Sequence, residues 1–402
     1  MIKYQNIDQV INQNHKLILI LLKKTTRDTK KIPFFVPDID NNDKKAVLKA
    51  LDQPTLTNGP NLQKFERAFA KFTGAKYAIG VTNATAALIL SLNALELKKN
   101  DEVIVPDETF VATANAILLN GATPVLADIE NNGYNVSVKS IEKSITKKTK
   151  VIMPVHVAGK ACDIVKIRKL ARDHGLKIIE DCAHAIGTKI NNTHVGNFGD
   201  LGCFSFYPTK NMTTIEGGMV ITNSKKLAIK ITSSRNHGFV NNKKFSSKPW
   251  IYDVESPGYN FRLDEIRSAL GINQLKRIKK LNTLRKKVCQ YYNLKLQNVK
   301  GIEIPFLSQY DDDVNHLYMI RIKKEYGLTR DELFKKFLKS GIQTSLHYTP
   351  LHEFTIFKKL AKKYVSLKNS KILYNELISL PMFPYISRKE QDNVIKCIIS
   401  NK

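Results

Sequence analysis

The chain predicts an α/β fold: a large domain on a mostly parallel sheet, followed by a smaller α+β C-terminal domain. Two observations lead there. Short apolar runs of strand length alternate with helical segments through the first two thirds of the sequence, as expected of βαβ units covered on both faces. Beyond residue 280 this alternation gives way to long Lys-rich helical periodicity with a sparse strand pattern.

Taken in order, residues 1–31 read as an N-terminal extension ending in the charged run KKTTRDTKK before Pro33. Within it the apolar stretch LILILL (17–22) is far too short to span a bilayer and lacks the cleavage pattern of a signal peptide. The large domain, 32–280, shows YAIGV (77–81) as a strand and ATAALILSLNALEL (84–97) as a helix. DEVIVP (101–106), PVLADI (124–129) and VIMPVHV (151–157) follow as strands, IVKIRKLARDHG (164–175) as a helix and LKIIED (176–181) as a strand. GCFSFYP (202–208) is one more buried strand. In the small domain, 281–402, NHLYMIRI (315–322) reads as a strand and RDELFKKFLKSG (330–341) as a helix.

The composition is ordinary for a globular protein except for a formal net charge of +28, from 64 Lys and Arg against 36 Asp and Glu. Clustered positive charge would suggest nucleic acid, but the basic pairs are strewn along the whole chain, with no basic helix or zinc-finger spacing. A solvated basic surface is the simpler reading, with nucleic-acid binding or steering of an anionic substrate as the alternatives. Five cysteines, an odd number with no CxxC pair, indicate neither a disulfide framework nor a thiolate metal site. A cytoplasmic protein with no metal, no membrane span and no nucleic-acid partner is expected.

Three local patterns carry chemistry. Asp181 ends a strand, and in an open α/β sheet residues just past strand ends line the ligand crevice. An Asp before Ala-rich sequence also caps helices, so position alone leaves both roles open. Lys210 follows the next buried strand, with Ser205 five residues before it and EGG (216–218) after it. A partly desolvated lysine there can form a Schiff base with a carbonyl, although an isolated lysine is ordinarily a surface group. In VTNATAAL (81–88) a strand meets a helix N-terminus at Asn83, Ala84 and Thr85, which is either simple capping or a phosphate site. Together the three suit pyridoxal 5'-phosphate: a lysine for the aldehyde, a carboxylate for the pyridine nitrogen, a helix end for the phosphate.

These residues resemble the DegT/DnrJ/EryC1/StrS family of sugar aminotransferases, pyridoxal-phosphate enzymes of the aspartate-aminotransferase-like fold type I. Landmarks occur in order from about Pro33 to the C-terminus: LTNGPNLQKFERAFA, TNATAAL, PDETFVATANAILLNGATPVLADI, MPVHVAGKACD, IIEDCAHAIGT, GDLGCFSFYPTKNMTTIEGGMVIT, RNHG, GYNFRLDEIRSALG and LHYTPLH. The resemblance implies that Lys210 is the Schiff-base lysine and that Asp181 partners the pyridine nitrogen. It implies further that Phe110 stacks on the ring, that His184 lies near the ring hydroxyl, and that Ser205, Ala84 and Thr85 form the phosphate cup. Asn260 of the GYN motif would reach the phosphate of a neighbouring subunit, which implies a homodimer with shared sites. Thr57, Arg262, His347 and Tyr348 become candidate substrate residues. Ala84 stands where many relatives have the Gly of an SGT motif.

Ala84, His184 and the stretch Thr57–Pro60 are similar to family members that aminate the C4 keto group of nucleotide-linked sugars. The implied reaction moves an amino group from L-glutamate, through pyridoxamine phosphate, to the C4 ketone of a UDP- or dTDP-linked 4-keto-6-deoxy hexose. Ping-pong kinetics follow. A C3-specific aminotransferase is the alternative within the family, and a non-catalytic nucleic-acid-binding relative the alternative outside it.

Overall fold

The computed structural model describes residues 31–240, 248, 250–305 and 313–400. The expected extension, Lys31 apart, and its LILILL stretch lie outside the described residues.

The chain begins with helices α1 (Asn41–Leu51) and α2 (Pro60–Thr73), then strand β1 (Tyr77–Val81) and helix α3 (Ala84–Ala94). Next come β2 (Glu102–Pro106), α4 (Val111–Leu119), β3 (Thr123–Ala127), α5 (Val138–Ser144), β4 (Thr149–Ile152), α6 (Ile164–Asp173) and β5 (Lys177–Asp181). β6 (Leu201–Ser205), β7 (Gly218–Thr222), α7 (Lys225–Ser234) and the long α8 (Glu265–Leu296) complete the first part. The remainder holds β8 (Ile302–Glu303), β9 (Tyr318–Ile322), α9 (Arg330–Lys339), α10 (Thr355–Leu360), β10 (Lys362–Lys363), α11 (Lys368–Glu376), β11 (Leu377–Leu380) and α12 (Arg388–Ile399).

Helix starts follow local chemistry. Asp40, Thr329 and Ser387 form reciprocal capping boxes with Asp43, Glu332 and Glu390, while Gly74 ends α2 in the left-handed region at φ 78°. The large sheet has the order β1-β7-β6-β5-β4-β2-β3-β10. All its pairings are parallel except those of β7, which runs antiparallel to both β1 and β6.

Alternate strand residues feed two cores, and this is why the strands read as unbroken apolar runs. Ile104 and Ile178 pack with Phe65 and Phe69 of α2 and with Leu275 and Ile278 of α8. Val103, Val105 and Ile179 pack on the other face with Leu88 and Leu90 of α3 and Ile117 of α4. The C-terminal part has its own antiparallel sheet, β8-β9-β11, with a core that includes Phe337, Val394 and, from the second half of α8, Val288, Tyr292 and Leu296.

α8 therefore runs through residue 280 and lends one half to each core. Past residue 350 the chain returns to the large sheet: Leu351 and Phe357 join its second core, and β10 pairs with β3. A ring of acids, Asp38, Asp40 and Asp43, grips the Arg277 guanidinium and ties the first described segment to α8.

Candidate active site

The C-terminal ends of β1, β2, β5 and β6 lie along one edge of the large sheet, where the crevice of such a sheet is expected. A cavity of about 480 Å³ opens there. It is lined by residues that lie far apart in sequence, among them Ala84, Thr85, Phe110, Asp181, His184, Ser205, Lys210, His347 and Tyr348.

One wall is a helix start. Asn83 caps α3 by accepting from the Ala86 N–H at 2.8 Å, and the first-turn N–H groups of Ala84 and Thr85 have no acceptor within the helix. Gly218 passes directly beneath: a Cβ there would lie 2.6 Å from the Asn83 carbonyl. Only glycine lets β7 approach this turn so closely. Ser205, at the end of β6, faces the same cavity.

Asp181 is buried at the end of β5. Its Oδ2 accepts from the Thr113 hydroxyl at 3.0 Å and its Oδ1 from the Ala183 N–H at 3.1 Å. Burial pushes its pKa up, while these two donors and the Lys210 ammonium favour the carboxylate. The carboxylate thus serves the cavity rather than capping a helix. Thr113 was not foreseen from sequence; it sits three residues after Phe110, on the same face of the first turn of α4.

Lys210 sits in the loop joining β6 to β7. Its N–H donates to the Tyr207 carbonyl at 2.9 Å, and the neighbouring Asn211 amide donates to Asn282 Oδ1 and the Val314 carbonyl. The loop is tightly specified: Ile215, a β-branched residue, is held at φ 71° with its N–H bonded to Thr213 Oγ1. Burial lowers the Lys210 amine to about 8, Asp181 opposes that shift and Arg285 reinforces it.

The remaining polar groups have assignable protons. Ala158 N–H donates to His184 Nδ1 at 3.3 Å, so the ring proton of the neutral form sits on Nε2, which faces the Tyr348 hydroxyl at 2.9 Å. Asn211 Oδ1 accepts from His316 Nδ1 at 2.9 Å, because the Asn211 amide nitrogen is already donating elsewhere. Burial pushes His184 and His316 well below the usual histidine range and His347 to about 3. Phe110 is 55% exposed, with its ring centroid 5.7 Å from that of Tyr348. Behind it Asp107 holds His352 at 2.6 Å, and Glu108 accepts the Tyr348 N–H, fastening the loop that carries His347 and Tyr348 to the large sheet.

Thr57, Asn260 and Arg262 are not among the lining residues. Thr57 bridges Asp264, Asn260 bridges Asn236, and Arg262 bridges Val81 and donates to Asn236 Oδ1 at 2.7 Å. Among the described residues, potential metal ligands gather at buried His156, Glu180 and Cys182. The Glu180 oxygens there already accept from the N–H groups of Gly196, Phe198 and Gly199 and meet His156 Nε2, so the cluster clamps a loop.

The family model described as the DegT/DnrJ/EryC1/StrS aminotransferase family matches residues 37–399. Spore coat polysaccharide biosynthesis protein SpsC of Bacillus subtilis is 37% identical over 373 residues, covering 91% of this chain and 96% of that protein. The structure resembles Helicobacter pylori PseC, an aminotransferase involved in the biosynthesis of pseudoaminic acid, with TM-score 0.86, 33% identity and coverage of 92% and 99%. It also resembles the PLP form of the putative sugar aminotransferase Spr1654 of Streptococcus pneumoniae, with TM-score 0.85, 28% identity and coverage of 92% and 98%. The chain belongs to the DegT/DnrJ/EryC1/StrS aminotransferase family, as a pyridoxal-phosphate-dependent sugar aminotransferase of fold type I.

Proposed function

We propose that the enzyme transfers the amino group of L-glutamate to the C4 keto group of a nucleotide-linked 4-keto-6-deoxy hexose, giving a 4-amino-4,6-dideoxy sugar nucleotide. The observation that carries the reaction is the convergence, in one cavity, of Lys210, Asp181, Phe110 and the start of α3. The C4 position rests on Ala84, His184 and the Thr57–Pro60 stretch; a C3-specific aminotransferase is the competing reading. UDP or dTDP is the carrier expected, and the five free cysteines, all buried, suit a cytoplasmic reaction.

The residues fit pyridoxal phosphate. Ala84 and Thr85 N–H groups with Ser205 would take the phosphate, Phe110 would cover the ring, and Asp181 would hold a proton on the pyridine nitrogen. His184, its ring proton fixed on Nε2, would stand beside the ring hydroxyl with Tyr348. Bound there, the cofactor supplies the electron sink that makes the proton on the amine-bearing carbon removable.

Lys210 Nζ is the group that moves this proton. Near a pKa of about 8 it is roughly a tenth uncharged at pH 7, against fewer than about one in a thousand for an ordinary lysine. The second half-reaction uses the same nitrogen in the reverse sense, returning a proton to the sugar carbon. His347 and Tyr348 close the cavity from the small-domain side and are assigned to the sugar. Asn260 and Arg262, outside this cavity, are assigned to the site of the neighbouring subunit in a homodimer. The basic surface helps to gather the anionic sugar nucleotide.

The test is substitution of Lys210 by Ala, with 3-keto and 4-keto nucleotide sugars supplied separately to the wild type. Loss of both the lysine-linked cofactor absorbance and turnover by at least about a thousandfold is expected in Lys210→Ala. Amination of the 4-keto sugar alone, read by NMR of the product, is expected in the wild type. An active Lys210→Ala enzyme would refute the assignment.

A further inference from the structure

Arg285, on α8, is a buried cation that no carboxylate among the described residues holds. It is 3% exposed, and every hydrogen bond it makes goes to a main-chain carbonyl: Nη1 to His316 at 3.0 Å and Met382 at 3.3 Å, and Nη2 to Thr209 at 3.4 Å. Among the described residues its buried Nε has no hydrogen-bond partner. The acidic group that acts on it is the Cys289 thiol, one helical turn on, which burial pushes up to about 12 and so leaves uncharged.

Buried arginines ordinarily pair with an acid, because desolvating a guanidinium is costly. An unpaired one is a structural expense that needs a return. The three carbonyls belong to three separate segments, and Thr209, His316 and Met382 all line the cavity. Thr209 is the residue immediately before Lys210.

We propose that Arg285 is a positioning residue for Lys210: its guanidinium fork gathers the Thr209, His316 and Met382 segments into the floor of the site and sets a buried positive charge behind the lysine. The charged and titratable groups around Lys210 define what that charge does. Asp181, from β5, attracts the ammonium. His184, His316 and His347 are neutral and Tyr348 stays a phenol, all through burial, and burial pushes the Glu108 carboxyl well above the usual carboxylate range. Glu216 sits exposed at the cavity wall. Arg285 is thus the cation that offsets Asp181, and it favours the uncharged amine that proton transfer requires.

The inference rests on Lys210 being the lysine that carries the cofactor, and the experiment separates the two ideas. In wild-type, Arg285→Met and Arg285→Lys holoenzymes, the long-wavelength absorbance of the lysine-linked cofactor is titrated against pH. Borohydride reduction and peptide mass spectrometry then identify the lysine that bears the pyridoxyl group.

The midpoint is expected to rise by about one unit in Arg285→Met, a roughly tenfold change in proton affinity. In Arg285→Lys, which keeps the charge and loses the fork, the midpoint stays near the wild-type value while kcat falls. An unmoved midpoint in Arg285→Met overturns the electrostatic role, and a wild-type kcat in Arg285→Lys overturns the positioning role. A pyridoxyl group on another lysine overturns the cofactor assignment instead. Should Arg285→Met fail to fold, Arg285→Gln keeps an amide donor without the charge and is titrated in its place, with the same two outcomes.

Discussion

At the scale of single residues, the site works by setting opposed groups against a common burial penalty. Both Asp181 oxygens accept, from Thr113 and Ala183, so Asp181→Asn keeps the shape, removes the charge toward the cofactor ring and turns an amide NH2 toward one of these two donors. The variant is expected to retain bound cofactor, read by its absorbance, while turnover drops by about a hundredfold or more. Lys210 adds a pH signature. In the amine-loaded form of the enzyme the lysine is free, and its folded-state pKa is lowered by burial, so the base form gains population as pH rises. The single-turnover rate with the keto sugar should therefore climb with pH to a plateau, with a midpoint near 8. A rate that is flat from pH 6 to 9 would remove Lys210 as the proton carrier. Lys210 and Asp181 stood out in the sequence because strand ends and short motifs are local. Thr113, His316 and Glu108 did not, because what matters about them is the residue opposite, tens to hundreds of positions away.

Among secondary-structure elements, the decisive contact is between the start of β7 and the turn before α3. Gly218→Ala places a methyl group within 3 Å of Asn83 and Ala84 main-chain atoms, none of which can turn aside. Loss of about 1–3 kcal/mol of stability is expected, with cofactor released at lower denaturant concentration than in the wild type. Thermal melts with and without excess cofactor would read both effects. In sequence EGG only frames Lys210; that its second glycine lies under the start of α3 follows from β7 running antiparallel between β1 and β6. Likewise the sequence sets a domain boundary at residue 280, inside what is one continuous α8. Its division into a half that packs with Phe65 and Phe69 and a half that packs under the small sheet depends on what the rest of the chain brings to it.

For the whole molecule, several buried histidines are kept neutral, and folding stability must depend on acid. His194 is the clearest case: its Nε2 accepts the Gly187 N–H at 2.8 Å and its Nδ1 faces the Val195 carbonyl at 2.6 Å, so the neutral tautomer is fixed. Burial lowers it to about 4 from an ordinary 6.5. A base whose folded pKa is depressed carries no penalty above its unfolded value; the penalty grows as pH falls below 6.5 and is complete below about 4. Melting temperature should fall over that window by the equivalent of a few kcal/mol from this residue alone. His194→Gln, though less stable at pH 7, should show a smaller fall. Among the described residues, the cavity of this strongly basic chain is lined by Lys210 as its lysine and by no arginine. No helix among the described residues is long and apolar enough to cross a membrane.

What the sequence by itself determined is the alternation of strands and helices, the caps that start the helices, and the motifs that place an aspartate at a strand end and a lysine in the loop after the next strand. These are consequences of side-chain periodicity and of backbone groups left open at element termini, which act over a few residues. The tertiary structure alone decided that the chain past residue 350 returns to the large sheet, that Glu108 and Asp107 fasten the loop bearing His347 and Tyr348, and that the buried Arg285 reaches the Thr209 carbonyl next to Lys210. Those features arise from burial and from partners distant in sequence, and burial is what lowers the Lys210 amine to about 8 and sets it apart among 64 basic residues.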